Sequence, residues 1–372
     1  MERIKGAMPV QCPRRLLVAV AALAACGAPG RPAELPAPAR TIPQEASGPL
    51  PLPLPDPLHE VLRVESLKHG PDRSLVSAEL TPSSHFTECL PSWNVASVEP
   101  FAVEIRTQPE GSERWTPWLL IGDWGVPERA EDVMTACDEA RVAVDILEAT
   151  GPQCRAQLRF LPAGEQPLDP AAIRASAVFT DRRLLDTRVT AAASEPWPLP
   201  VQLSVPARSQ RSAGEDIGHR ICSPTSVAMV AAFHGERVAT RAMAATVHDP
   251  SFDIYGNWNR AIQGAYSHGV GGELLRFSSW EGVAAYLRAG RPLVASIRVA
   301  PGELRGAPYE KTAGHLLVLT GLGLGGVVLV NDPAASWPGV VPRRYMRADM
   351  EQVWFRNGGV AYAFKKEPGV PR

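Results

Sequence analysis

The chain has 372 residues and a formal net charge of −1, with 45% hydrophobic and 21% charged residues. That balance argues against nucleic acid as a partner, which an excess of basic residues would mark, and the apolar share is large enough to fill packed cores. The length fits two domains.

At the start of the chain, Arg14-Arg15 followed by Leu16 to Leu23 forms a basic region and a short apolar run, too brief to span a membrane as a mature helix. Residues 1–26 therefore read as a signal peptide that exports the chain. Its end, Leu23-Ala24-Ala25-Cys26-Gly27, resembles a bacterial lipoprotein signal, which implies acylation of Cys26 and a membrane anchor in the cell envelope. Ordinary cleavage near Ala25, leaving a secreted soluble protein, is the alternative. Residues 27–58 carry ten prolines and few large apolar residues other than leucine, the composition of an extended tether.

Residues 59–195 change character. Apolar runs recur at Glu60–Val64, Leu75–Leu80, Ala102–Arg106, Trp118–Ile121, Val142–Leu147, Ala156–Phe160 and Ala175–Phe179, many of them alternating and separated by turn residues. This pattern predicts an all-β sandwich. Trp93, Trp115, Trp118 and Trp124 fit packing in and around its core better than sugar stacking. In an exported chain Cys89, Cys137 and Cys154 could form one disulfide and leave one thiol over, with the pairing open. His85 and Cys89 lack companions at metal-ligand spacing, so no metal is expected.

Pro196-Trp197-Pro198-Leu199-Pro200 is a stiff boundary, and residues 196–372 follow as a second unit expected to fold on its own. Around Arg220 to Met229 a thiol, Cys222, meets the start of a helix: Pro224 suits a first turn, Val227, Val230 and Ala231 follow at helical spacing, and Gly235 stops it. Unsatisfied amides at a helix start favour thiolate over thiol. A short helix is predicted over Thr240–Val247. Tyr255 and Trp258, in a loop between helices, either line a cleft or pack. Ser278 to Glu281 offers a capping box before a helix ending near Gly290, and Arg291–Val299 reads as a strand. Residues 314–323 and 325–332 form a hairpin whose turn, Gly321 to Gly326, is followed by a strand and so is not a dinucleotide loop. Helices first and an antiparallel sheet after make an α+β domain.

His315 opens the first hairpin strand and Asp332 closes the second, which sets the two side by side in an antiparallel pair. With Cys222 they supply a nucleophile, a base and an orienter. His219, before the helix start, is the poorer base. The order Cys, His, Asp, together with Cys-x-Pro-Thr-Ser, Gly-His before an apolar strand and Asn-Asp-Pro-Ala after the next, resembles papain-like cysteine peptidases of the bacteriocin-processing type, in their secreted stand-alone branch. The resemblance covers about residues 200 to 365. It implies a papain-like fold, hydrolysis of peptide bonds in a peptide or protein substrate through a thioester, and no cofactor. It also implies that Gln210 lends its side-chain amide to the oxyanion hole. Ser223 stands where the family often has Gly, and the stretch from Gln210 to Cys222 is longer than in transporter-fused members. An acyltransferase or amidase using the same three residues, or a non-catalytic envelope-binding protein, are the other classes open to this chain.

Overall fold

A computed structural model describes residues 56, 58–97, 99–126, 133–185 and 196–367. The signal peptide, Cys26 and nearly all of the proline-rich stretch lie outside the described residues.

The N-terminal half is β-rich. Its strands are β1 (His59–Arg63), β2 (Leu67–His69), β3 (Leu75–Ser77), β4 (Phe86–Val95), β5 (Phe101–Pro109), β6 (Leu119–Trp124), β7 (Ala140–Ala143), β8 (Ile146–Pro162) and β9 (Ile173–Thr180). Strand β5 shows the alternation that placed it, with Phe101, Val103 and Ile105 inward. The 17-residue β8 is the seam of the sheet: its first half pairs with β4 and β7, its second half with β5 and β3. Hydrogen bonding thus runs through all nine strands as one sheet. Side chains from β4 and β9 (Cys89, Trp93, Ala177, Phe179) meet those from β5, β6 and β8 (Val103, Ile105, Ile121, Leu158) in a single cluster.

Strand β4 has no hydrophobic alternation to announce it because both of its faces are buried. Cys89, Trp93 and Val95 enter the N-terminal core. Glu88, Leu90, Ser92 and Asn94 face the second half of the chain, where polar groups find partners rather than water.

The disulfide open to Cys89, Cys137 and Cys154 is not formed, and all three are free. Cys89 is sealed in the core, where burial pushes its thiol well up, and Cys154 donates instead to the Gln108 carbonyl at 3.4 Å. Trp93 is buried, Trp115 and Trp118 stack with Arg106 at 4.8 and 4.5 Å, and Trp124 lies under Arg260 at 5.4 Å, so all four tryptophans are engaged in packing.

In the C-terminal half, β10 (Val201–Gln202), β11 (Val270–Arg276), β12 (Leu293–Val299), β13 (Thr312–Leu322), β14 (Val327–Asn331), β15 (Pro342–Met346) and β16 (Val360–Lys366) form an antiparallel sheet ordered β11-β16-β12-β13-β14-β15, with β10 on β13. One face packs against α1 (Cys222–Phe233), α2 (Thr240–Val247) and α3 (Trp258–Tyr266) through Val294, Leu316, Val318 and Tyr362. The other packs against α4 (Trp280–Arg288) and α5 (Arg347–Val353) through Ala295, Leu317, Leu319 and Ala361. The Gly-rich turn does join β13 to β14, with Gly325 and Gly326 at φ of 66° and 77°, where L side chains are strained.

The two halves share a buried joint. Leu90 and Val178 belong to the same apolar cluster as α1. The Asn94 amide makes two bonds to the Gly272 backbone (2.7 and 2.8 Å), and the Gln263 amide makes two to that of Val95 (2.8 and 3.0 Å). Glu88 pairs with Arg276 at 2.7 Å, both under 4% exposed, Arg260 pairs with Asp123 at 2.9 Å, and Arg63 with Glu273 at 2.7 Å.

Candidate active site

Cys222 is the first residue of α1, after an Ile221 cap that has no side-chain acceptor to offer. Because Pro224 needs no amide partner, the first turn forms without a polar cap, and the amide of Ser223 is free to face the thiol. One turn on, the Ser226 hydroxyl donates to the Leu316 carbonyl at 3.1 Å, pinning α1 to β13 beside His315. The helix runs to Phe233, and Gly235 turns the chain away with φ of 91°.

The β13–β14 register explains the second contact. Val318 faces Asn331, so continuing the ladder by one residue sets Asp332 opposite Leu317, two residues from His315, within reach of a diagonal bond. His315 Nε2 bonds Asp332 Oδ1 at 2.8 Å, which leaves Nδ1 for the Cys222 thiol. Burial of Cys222 opposes ionisation, but the hydrogen bond and charge of His315, with the amides of Leu316 and Ser223, outweigh it and lower the thiol below its usual value. Burial likewise works against a charged His315, and the Asp332 carboxylate overrides it, raising the imidazole to about 10. Asp332 is completely buried, yet its carboxyl is held below the usual range by His315, by the Tyr345 hydroxyl and by the Ala334 amide at 3.0 Å.

Gln210 opens a short 3-10 turn, Gln210–Ala213, capped by Ser209. Its backbone amide donates to the Pro333 carbonyl at 2.9 Å, one residue past Asp332, and the Ser209 hydroxyl donates to that of Ala335 at 2.5 Å. The Gln210 side chain is 4% exposed, and its Oε1 has no hydrogen-bond partner among the described residues.

Tyr255 lies under the Arg220 guanidinium at 5.3 Å and against the His248 ring at 4.8 Å, which brings it to the stretch two residues before Cys222. Trp258 is the first residue of α3 rather than a loop residue, half-buried on the cluster that Cys222 also touches. Asn257 accounts for the difference: its side chain caps α3 by accepting from the Arg260 amide at 3.2 Å. His219 is exposed and takes no part.

Three residues at the site carried no signal that sequence reasoning used. Tyr309, in the β12–β13 loop, donates its hydroxyl to Asp332 Oδ2 at 3.0 Å, and its ring meets that of His315 edge-on at 4.9 Å. Tyr345, on β15, donates to the same oxygen at 2.7 Å. Asp145, from the N-terminal half, accepts the Trp258 amide at 2.5 Å. A tyrosine directly after two arginines, in the fourth position of β15, was the one legible hint, for Tyr345.

A cysteine at a helix start facing a histidine on the central strand of an antiparallel sheet is the layout of papain-like cysteine peptidases. Residues 202–362 match the Peptidase_C39 like family. Among solved structures, a double glycine motif protease from an AMS/PCAT transporter, in complex with the leader peptide, is similar at 18% identity and a TM-score of 0.31, over 45% of this chain and 97% of that one. No curated protein matches the chain.

Proposed function

We propose that the protein is an exported, lipid-anchored cysteine peptidase that hydrolyses peptide bonds through Cys222, His315 and Asp332. The observation that carries the reading is the 2.8 Å bond from His315 Nε2 to Asp332, which fixes the ring with Nδ1 toward a thiol whose pKa is lowered. In the first step the Cys222 thiolate attacks the carbonyl carbon, and the oxyanion is held by the Gln210 side-chain amide and the Cys222 backbone amide. The His315 imidazolium then gives its proton to the departing amine, leaving a thioester. Water, losing a proton to His315, attacks that thioester; the acid leaves and the thiol is restored. The substrate is a peptide or protein, with Tyr255 and Trp258 as candidate contacts beside the nucleophile.

The nine-stranded N-terminal unit, residues 59–195, is read as a sandwich, supported by one apolar cluster that gathers side chains from both groups of strands. Acylation at Cys26 is supported by the sequence alone and is tested by Cys26→Ser, which should release the protein from membranes.

The deciding experiment is iodoacetamide alkylation of Cys222 across pH, coupled to profiling of a peptide library. The thiol should stay reactive well below the ~8.5 of a free cysteine, His315→Ala should slow it there, and Cys222→Ala should abolish cleavage. A thiol that alkylates slowly whatever stands at position 315 would falsify the catalytic reading.

A further inference from the structure

We propose that Tyr309 is a positioning residue for the reaction: its hydroxyl and its ring together hold Asp332 and His315 in the orientation that presents Nδ1 to Cys222. The inference rests on the peptidase reading above and deepens it.

Asp332 Oδ2 receives two hydroxyls, from Tyr345 at 2.7 Å and Tyr309 at 3.0 Å, while Oδ1 takes His315 and the Ala334 amide. Tyr345 is 1% exposed on a strand, so it alone would satisfy the buried oxygen. The Tyr309 hydroxyl is therefore surplus to the burial of Asp332. What it adds is a second direction of pull on the carboxylate, and a ring wall, 63° from the His315 plane, that blocks rotation of the imidazole.

The loop bearing Tyr309 is built to be still. Leu304 sits in the core, Arg305 makes a two-point pair with Asp349 (3.0 and 2.9 Å), Arg343 donates to the Gly306 carbonyl at 2.7 Å, and Glu303 accepts the Ala300 amide at 2.8 Å. A loop fastened at four residues to hold one half-buried tyrosine against a buried carboxylate-imidazole pair is a support for that pair.

The test compares full-length wild-type, Tyr309→Phe, Tyr309→Leu and His315→Ala proteins, each checked for an unchanged circular dichroism spectrum. In protein labelled with 15N-histidine, Tyr309→Phe should move the His315 Nε2 proton resonance downfield, because a carboxylate that loses a donor pulls harder on the ring proton. Iodoacetamide alkylation of Cys222 at about pH 5.5 should slow roughly ten-fold in Tyr309→Leu and by less than about three-fold in Tyr309→Phe, which keeps the ring. A merely structural tyrosine moves neither readout once the fold is intact. An unmoved ring proton in Tyr309→Phe, or wild-type alkylation in Tyr309→Leu, overturns the proposal. If instead wild-type Cys222 alkylates no faster than in His315→Ala, the triad reading fails. The ring-proton shift, which needs neither thiol reactivity nor turnover, then still decides whether Tyr309 acts on the Asp332–His315 pair.

Discussion

In the proposed mechanism Gln210 is the residue that separates binding a carbonyl from activating it. Its buried amide oxygen has no hydrogen-bond partner among the described residues, which is a cost to folding. Gln210→Ala is expected to lower turnover on the order of 10²-fold, the usual worth of one oxyanion donor, while leaving the alkylation rate of Cys222 unchanged; equal losses in both would mean that Gln210 supports the thiol instead. The His315–Asp332 pair also has a pH window. The His315 share of stability is complete below the ordinary 6.5 and is lost as pH rises through about 10; the Asp332 share is complete above 3.8 and is lost as pH falls through its lowered value. The start of α1 at Cys222 and the pairing of His315 with Asp332 were legible from helix-start and hairpin patterns, although β13 begins at Thr312, three residues before His315. Tyr309 and Tyr345 were not, since a loop and a strand 36 positions apart meet at Asp332 only through the tertiary fold.

At the scale of elements, the β7–β8 hairpin is where pattern reading went astray. Val142–Leu147 reads as one apolar strand, but the chain reverses inside it. The Asp145 amide bonds the Ala143 carbonyl at 2.8 Å around Val144 at φ of 64°, a three-residue turn that a β-branched residue adopts only under strain. The tip is held by tertiary bonding: Asp145 caps the start of α3 through Trp258, and Ile146 packs on the C-terminal cluster. Burial, with Asp249 adding its charge, raises the Asp145 carboxyl to about 7 against the pull of the Trp258 amide. The sign is unfavourable to folding: the penalty is absent below about 3.8, grows as pH rises toward 7 and is full above it. Asp145→Asn keeps an acceptor for Trp258 and removes the ionisation. It should raise Tm by several degrees at pH 8 and by little at pH 4, measured by calorimetry.

For the whole molecule, the antiparallel C-terminal sheet and its helices were readable from hairpin and capping signals, whereas the joint was not, because its donors are single polar residues with no pattern. A chain starting near Trp197 would bare Arg276, Glu273, Gln263 and the apolar faces that meet Leu90 and Val178. Such a fragment, expected from composition to fold alone, is now expected to be insoluble or to lack a cooperative thermal transition. Glu88→Ala should cost about 3–5 kcal/mol in the full chain, since Arg276 would keep its charge in a buried site without a counter-ion; a urea midpoint unchanged from wild type would show that the joint does not share in stability.

Strand β4 also sets an order of events on the ribosome. Every strand of the first sheet, through Thr180, has been synthesised before Val201 is made, so Glu88, Ser92 and Asn94 stand ready as a template when residues 263–276 emerge. If the later half forms against the earlier one, a lesion in β4 should appear as lost yield of a C-terminal half whose own sequence is intact.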